Sequence, residues 1–162
     1  MKNAFLFVTL FLVSSVGCFA GIPEGRLFYF ERSTNQNVVC YDVIQKDGKL
    51  DLKEPVYIYW AKIYNLGKGY DDASWLDKKL AFGYVVDKKG DNEVTGHLAA
   101  SRKFSIRICQ RNGKWIALCR INGKDAILKH LYVKMKSAVS ADYVDVYGIS
   151  VSGGENLKMR IR

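Results

Sequence analysis

Two Asn-Gly pairs ten residues apart, Asn112-Gly113 and Asn122-Gly123, constrain this chain more than any other feature. Each sits between runs in which apolar and polar residues alternate. Asn-Gly in that setting is the strongest short signal for a two-residue type I′ hairpin, because both central positions need positive φ. With the first turn at Asn112-Gly113, cross-strand partners sum to 225, so Arg111 faces Lys114 and one face collects Phe104, Ile106, Ile108, Trp115, Ala117, Cys119 and Ile121. The opposite face collects Lys103, Ser105, Arg107, Cys109, Arg111, Lys114 and Arg120, with Ile116 and Leu118. That separation is the period-two signature of strands and supports the register independently of the turn.

The second turn sets partners that sum to 245 and places Arg120 opposite Asp125 as a cross-strand ion pair. Three antiparallel strands follow, at about 103–111, 114–121 and 124–135. Cys109 and Cys119 then point to opposite faces and share neither a disulfide nor a metal. Beyond Leu128 the apolar parity switches from even to odd, at Leu131, Val133 and Met135. A bulge or bend near Lys129-His130 accounts for the switch.

Elsewhere, "RLFYFERS" and "NVVCYDVI" read as strands around the loop "TNQN", and "PVYIYWAKIY" as a strand starting at Pro55. "KDGKLDLKE" is a turn-rich connection, and "NLGKGYDD" interrupts the strand pattern. "ASWLDKKLA" reads as one short helix capped by Asp72, with Leu76 and Leu80 on one face. "FGYVVD" and "EVTGHLA" form a hairpin, and "DYVDVYGISVS" and "NLKMRIR" close the chain. The expectation is an all-β domain of about nine or ten strands with one short helix. It is an antiparallel barrel or a two-sheet sandwich, and strand spacing does not choose between them.

Residues 1–20 carry the pattern of a secretory signal peptide: Lys2, an apolar run from Ala4 to Val16, and small residues before Gly21. That run is short of the roughly 20 residues that span a bilayer. Lipidation at Cys18 is the alternative, with Ser15 standing where such sites usually carry an aliphatic residue. Either route makes the protein exported, periplasmic or extracellular, with residues 21–162 as a single β-rich domain. Removing Lys2 from the 25 basic residues leaves 24 against 16 acidic ones, a mature charge of +8. That balance favours anionic partners such as lipid headgroups or acidic glycans. Cys40, Cys109 and Cys119 remain, an odd number that does not make a disulfide scaffold.

The elements Glu31-Arg32, Asn35-x-Asn37, Val39, Tyr41-Asp42, Lys46-Asp47-Gly48-Lys49-Leu50, Pro55-Val56, Tyr59-Trp60 and Phe82-Gly83-Tyr84 cover much of residues 26–85. Together with the Asn-Gly-Lys turns and "ILKHLYV", they resemble a family of small exported bacterial proteins, the domain of unknown function 4833. Cys40 and Phe82 depart from its pattern. The resemblance implies an exported β-rich domain and brings no activity with it.

No local motif supports catalysis, a cofactor or a metal. His97 and His130 are 33 residues apart, and neither lies in an H-x-x-x-H or C-x-x-C arrangement. By the pair sums His130 faces Trp115, too far along the strand from Cys119 for a catalytic dyad, and it reads as a histidine at a sheet rim. Asp71-Asp72 read as turn and capping residues. The best candidate for binding is the polar group Glu31, Arg32, Asn35, Asn37 and Asp42 around one short loop; Asx-turns and ion pairs are the competing explanation. The aromatic run Tyr57, Tyr59, Trp60, Tyr64 and Tyr70 suits a glycan or lipid pocket, or the core. The candidate ligand-binding set is therefore Glu31, Arg32, Asn35, Asn37, Asp42, Tyr59, Trp60 and His130. The functional expectation is a non-catalytic exported domain that binds an anionic or amphiphilic envelope molecule, lipid or glycan. A structural or protein-interaction component of the envelope is the alternative, and a hydrolase assembled from His130, Cys40 and Asp42 the third. Export argues against nucleic acid as a partner.

Overall fold

The computed structural model describes residues 25–137 and 140–162. The expected leader at 1–20 and Cys18 lie outside these residues. The two Asn-Gly turns form as expected, with Asn112 and Asn122 at φ 49° and 51° and the following glycines at 74° and 80°. They join β9 (Ser101–Arg111), β10 (Lys114–Ile121) and β11 (Lys124–Met135) in the expected registers, Lys114 opposite Arg111 and Arg120 opposite Asp125. The Arg120–Asp125 contact is 3.7 Å long and exposed at both ends, so it adds little.

Upstream lie β1 (Arg26–Arg32), β2 (Asn37–Val43), β3 (Gln45–Lys46), β4 (Lys49–Leu50), β5 (Val56–Lys62) and β6 (Asn65–Asp72). The helical segment and then β7 (Tyr84–Lys89) and β8 (Val94–Leu98) follow, and β12 (Ala141–Ser150) and β13 (Asn156–Ile161) come last. Thirteen strands are present among the described residues, against the nine or ten expected. The additions are the short β3–β4 pair inside the turn-rich connection, and β6, whose two glycines do not prevent it from pairing with β5 through an irregular register. The expected helix is shorter and tighter than its pattern implies: α1 (Trp75–Asp77) runs into a π-type turn at Lys78–Phe82. Ser74, not Asp72, is its N-cap. Asp77 N–H donates to Ser74 Oγ at 3.1 Å, and Ser74 N–H donates to Asp77 Oδ2. Asp72 belongs to β6 and accepts the Tyr57 hydroxyl. Among the described residues no helix is long and apolar enough to cross a membrane.

The main sheet holds 11 strands in the order β6-β5-β2-β1-β11-β10-β9-β8-β7, with β12 on β11 and β13 on β12. It is not closed into a barrel. Its two wings enclose one core, in which Phe28, Tyr41 and Ile58 from the first wing meet Ile106, Ile108 and Ala117 from the second, giving a sandwich. Each buried Phe or Ile side chain of this set contributes roughly 1.5–3 kcal/mol of hydrophobic stabilisation.

One pairing departs from the all-antiparallel expectation. β1 runs parallel to β11, with Tyr29 opposite His130 and Leu131 opposite Phe30. Because β12 occupies one edge of β11 along Ala126–Met135, β10 and β1 share the other edge. β10 takes the first part, at Lys124–Ile127, and β1 takes the second, at His130–Val133. Between them the register with β12 shifts, skipping Lys129. This is the bulge expected from the apolar parity: Ala126 and Leu128 are buried before it, Leu131 and Val133 after it. Where β10 and β1 part, the sheet forks.

Candidate functional site

Alternation along β1, β2 and β5 divides the expected binding set between the two faces of the sheet. Arg32 and Trp60 lie on the core-facing side, where the Trp60 ring meets Phe82 edge-on at 5.4 Å and the Arg32 guanidinium sits 5.3 Å from the Trp60 centroid. Glu31, Asp42, Tyr59 and His130 lie on the other face, in the row where Tyr29 pairs with both Cys40 and His130 and Cys40 pairs with Tyr59. Asn35 makes the Asx-turn of the loop, accepting the N–H of Asn37 at 2.9 Å, and the Asn37 side chain accepts from Lys62. The eight residues are thus not one site. Of the aromatic run, Tyr57 stacks on the buried Tyr59 on the outer face, and Tyr57, Tyr64 and Tyr70 are exposed.

Asp42 and Tyr59 belong to a buried network around Arg26. Arg26 Nε donates to Asp42, and its Nη2 donates to the Tyr59 hydroxyl and to Leu66 O. Tyr59 in turn donates to Asp42 Oδ2 at 2.9 Å. Burial, reinforced by the bond to Asp42, pushes the Tyr59 phenol up to about 12. Burial also raises the Glu31 carboxyl above its ordinary range.

Cys40 and His130 do not come together as a catalytic pair. Tyr29 stands between Cys40 and His130, and two strand spacings separate them by roughly 10 Å. All three described cysteines are free and buried, and burial pushes the Cys40 thiol up to about 11 and Cys119 up to about 12. Such thiols are protonated and unreactive.

Two clefts remain. The first, about 610 Å³, opens between the wings beside the helical segment. Its walls are Phe30, Leu131, Val133, Val144 and Ile161 from the sheet and Leu80 from the π-type turn. Leu76 and Leu80, on one face as expected, stand 55% and 65% exposed at this cleft. Its charged lining residues are Asp77, engaged in the helix cap, and Arg32, whose buried Nε has no hydrogen-bond partner. The second cleft, about 960 Å³, lies at the fork. There Tyr29, His130 and Tyr147 form a stack across three strands, with centroids 5.0 and 4.2 Å apart and planes within 8°. Burial holds the His130 pKa below the usual histidine value. His130 does not pair with Trp115, as extrapolation of the hairpin register implied, because β10–β11 pairing ends at Leu118–Ile127 and β1 takes over. Both residues nonetheless line this cleft.

Sequence reasoning missed Arg26, Trp115 and Leu80 as lining or supporting groups. The pair sum that set Trp115 against His130 was the one available signal. The fold and these clefts define a mixed-sheet β-sandwich with ligand-sized openings at strand junctions. The chain belongs to the family described as domain of unknown function (DUF4833), whose model matches residues 28–160. No curated protein and no solved structure matches it.

Proposed function

We propose that the protein is an exported, non-catalytic domain that binds an anionic amphiphile, with the acyl part in the cleft between the wings and the anionic head at Arg32. The observation that carries this reading is Arg32 itself: a guanidinium over Trp60, lining an apolar cleft, with an unpartnered Nε and no ion pair to a carboxylate among the described residues. An apolar pocket with one placed polar group is the usual form of a small-ligand site. A planar guanidinium suits a carboxylate or phosphate head. Export rests on the leader pattern in residues 1–20, and an envelope ligand follows from that compartment.

Native mass spectrometry of the protein incubated with a long-chain fatty acid, and separately with the matched fatty alcohol, tests the assignment. The acid is expected to remain bound, the alcohol to bind more weakly, and Arg32→Gln to weaken the acid about tenfold, the loss of one charge-assisted hydrogen bond. Equal retention of acid and alcohol, or of neither, overturns it.

A second reading has one observation in its favour. Trp75, Leu76 and Leu80 expose apolar surface around the helical segment, Trp75 at 70%. If the cleft holds no amphiphile, that patch is the surface on which an envelope protein would dock.

A further inference from the structure

The fork cleft differs from the first in chemistry, and its wall leaves polar demands unmet. Arg26 lines it with a side chain only 2% exposed; Nε and Nη2 are engaged, while Nη1 has no partner. Trp115 lines it too, and its buried Nε1–H is likewise unpartnered. Both donor atoms are closed off from solvent, so a ligand in the cleft meets first the aromatic rings and the cations of its lining. Lys114 and Lys129 add positive charge, and no acidic side chain lines the cleft among the described residues. Lys129 is the residue skipped by the bulge, so the same irregularity that forks the sheet also frees this cation from the β12 register. Gly148 lets β12 approach β11 and the core closely, since a Cβ there would meet Ile127 O and Ile121 Cδ1 at 2.8 Å.

We propose that the fork cleft is a second binding site, for an anionic saccharide. The cations of the lining ask for a negative ligand, and its aromatic rings for one with flat apolar faces. An acyl chain supplies neither acceptors nor charge along its length. A uronate oligosaccharide carries hydroxyl and carboxylate oxygens along its edges, and its apolar ring faces suit the aromatic wall formed by Trp115 and the Tyr29–His130–Tyr147 stack. The proposal rests on a different cleft from the amphiphile reading and stands without it.

The test is titration of the full chain with a uronate oligosaccharide and with its carboxyl-reduced neutral counterpart, followed by the indole N–H resonances of the three tryptophans and by calorimetry. The uronate is expected to bind, more weakly as salt rises, and to shift the one indole resonance that Trp115→Phe removes. Trp115→Phe removes that indole and narrows the aromatic wall, and it should weaken binding a few-fold. Lys129→Gln, an exposed substitution that does not threaten folding, should weaken binding and reduce its salt dependence. Saturating fatty acid should leave uronate affinity unchanged. No uronate binding, equal binding of the neutral sugar, an unmoved Trp115 resonance, wild-type affinity in Lys129→Gln, or competition by the fatty acid would each overturn the assignment.

Discussion

The two parts of β11 are held in different ways. Lys124–Ile127 pairs with β10 across a two-residue turn, so its neighbour is dictated by Asn122-Gly123 and the alternating pattern beside it. His130–Val133 pairs in parallel with β1, about a hundred residues upstream, and no turn specifies that contact. The first part is local and regular. The second depends on the core: Phe28 of β1 stacks on Tyr41 at 4.3 Å, and Leu131 and Val133 pack inward only because the bulge has changed their parity. Both clefts lie along the second part or at its junction with the first, which teaches that openings arise where long-range pairing takes over from local pairing.

The comparison can be broken most strongly from the non-local side. Phe28→Ala removes a side chain that is 1% exposed at the junction and should cost about 3–5 kcal/mol in denaturant unfolding. Amide exchange should quicken first in β1 and in His130–Val133. If the β9–β11 hairpins lose protection equally early, the two parts are not separable. From the local side, Gly123→Ala places a Cβ at φ 80° in open space, so its cost is conformational alone, about 1–2 kcal/mol. Exchange should accelerate around that turn and leave the β1–β11 ladder untouched.

The smallest effect expected is linked to pH. Burial between Tyr29 and Tyr147 lowers the His130 pKa below 6.5, so the unfolded chain binds its proton more readily than the fold does. This contribution to stability is present above pH 6.5 and is lost as pH falls through the folded value. Unfolding midpoints of wild type and His130→Phe, compared above and below pH 6.5, should show the variant losing less stability on acidification. Identical pH slopes would mean the stack does not oppose protonation.

Much of the architecture was legible because it is local. The Asn-Gly turns, both hairpin registers, the opposed cysteines and the parity switch at Lys129 all follow from period-two alternation and turn chemistry. The helix was located correctly, but its cap was misplaced, since Ser74 and Asp77 form a capping box that the Asp71-Asp72 pair obscured. β6 was missed because its glycines read as a break.

The candidate site was less legible, for the same period-two reason. Neighbours such as Glu31 and Arg32, or Tyr59 and Trp60, look like clusters in the chain but point to opposite faces of a strand. The sequence by itself determined ten of the thirteen strands, the Asn-Gly turns between neighbours and the position of the bulge, because each depends on contacts within a few residues. Tertiary structure alone decided that β1 would enter beside β11, that Arg26 would be buried with Asp42 and Tyr59, and that a fork would open between Trp115 and His130. Those outcomes depend on which distant strand occupies a free edge, and that choice is settled by how well the assembled core packs, a property no local stretch of sequence contains.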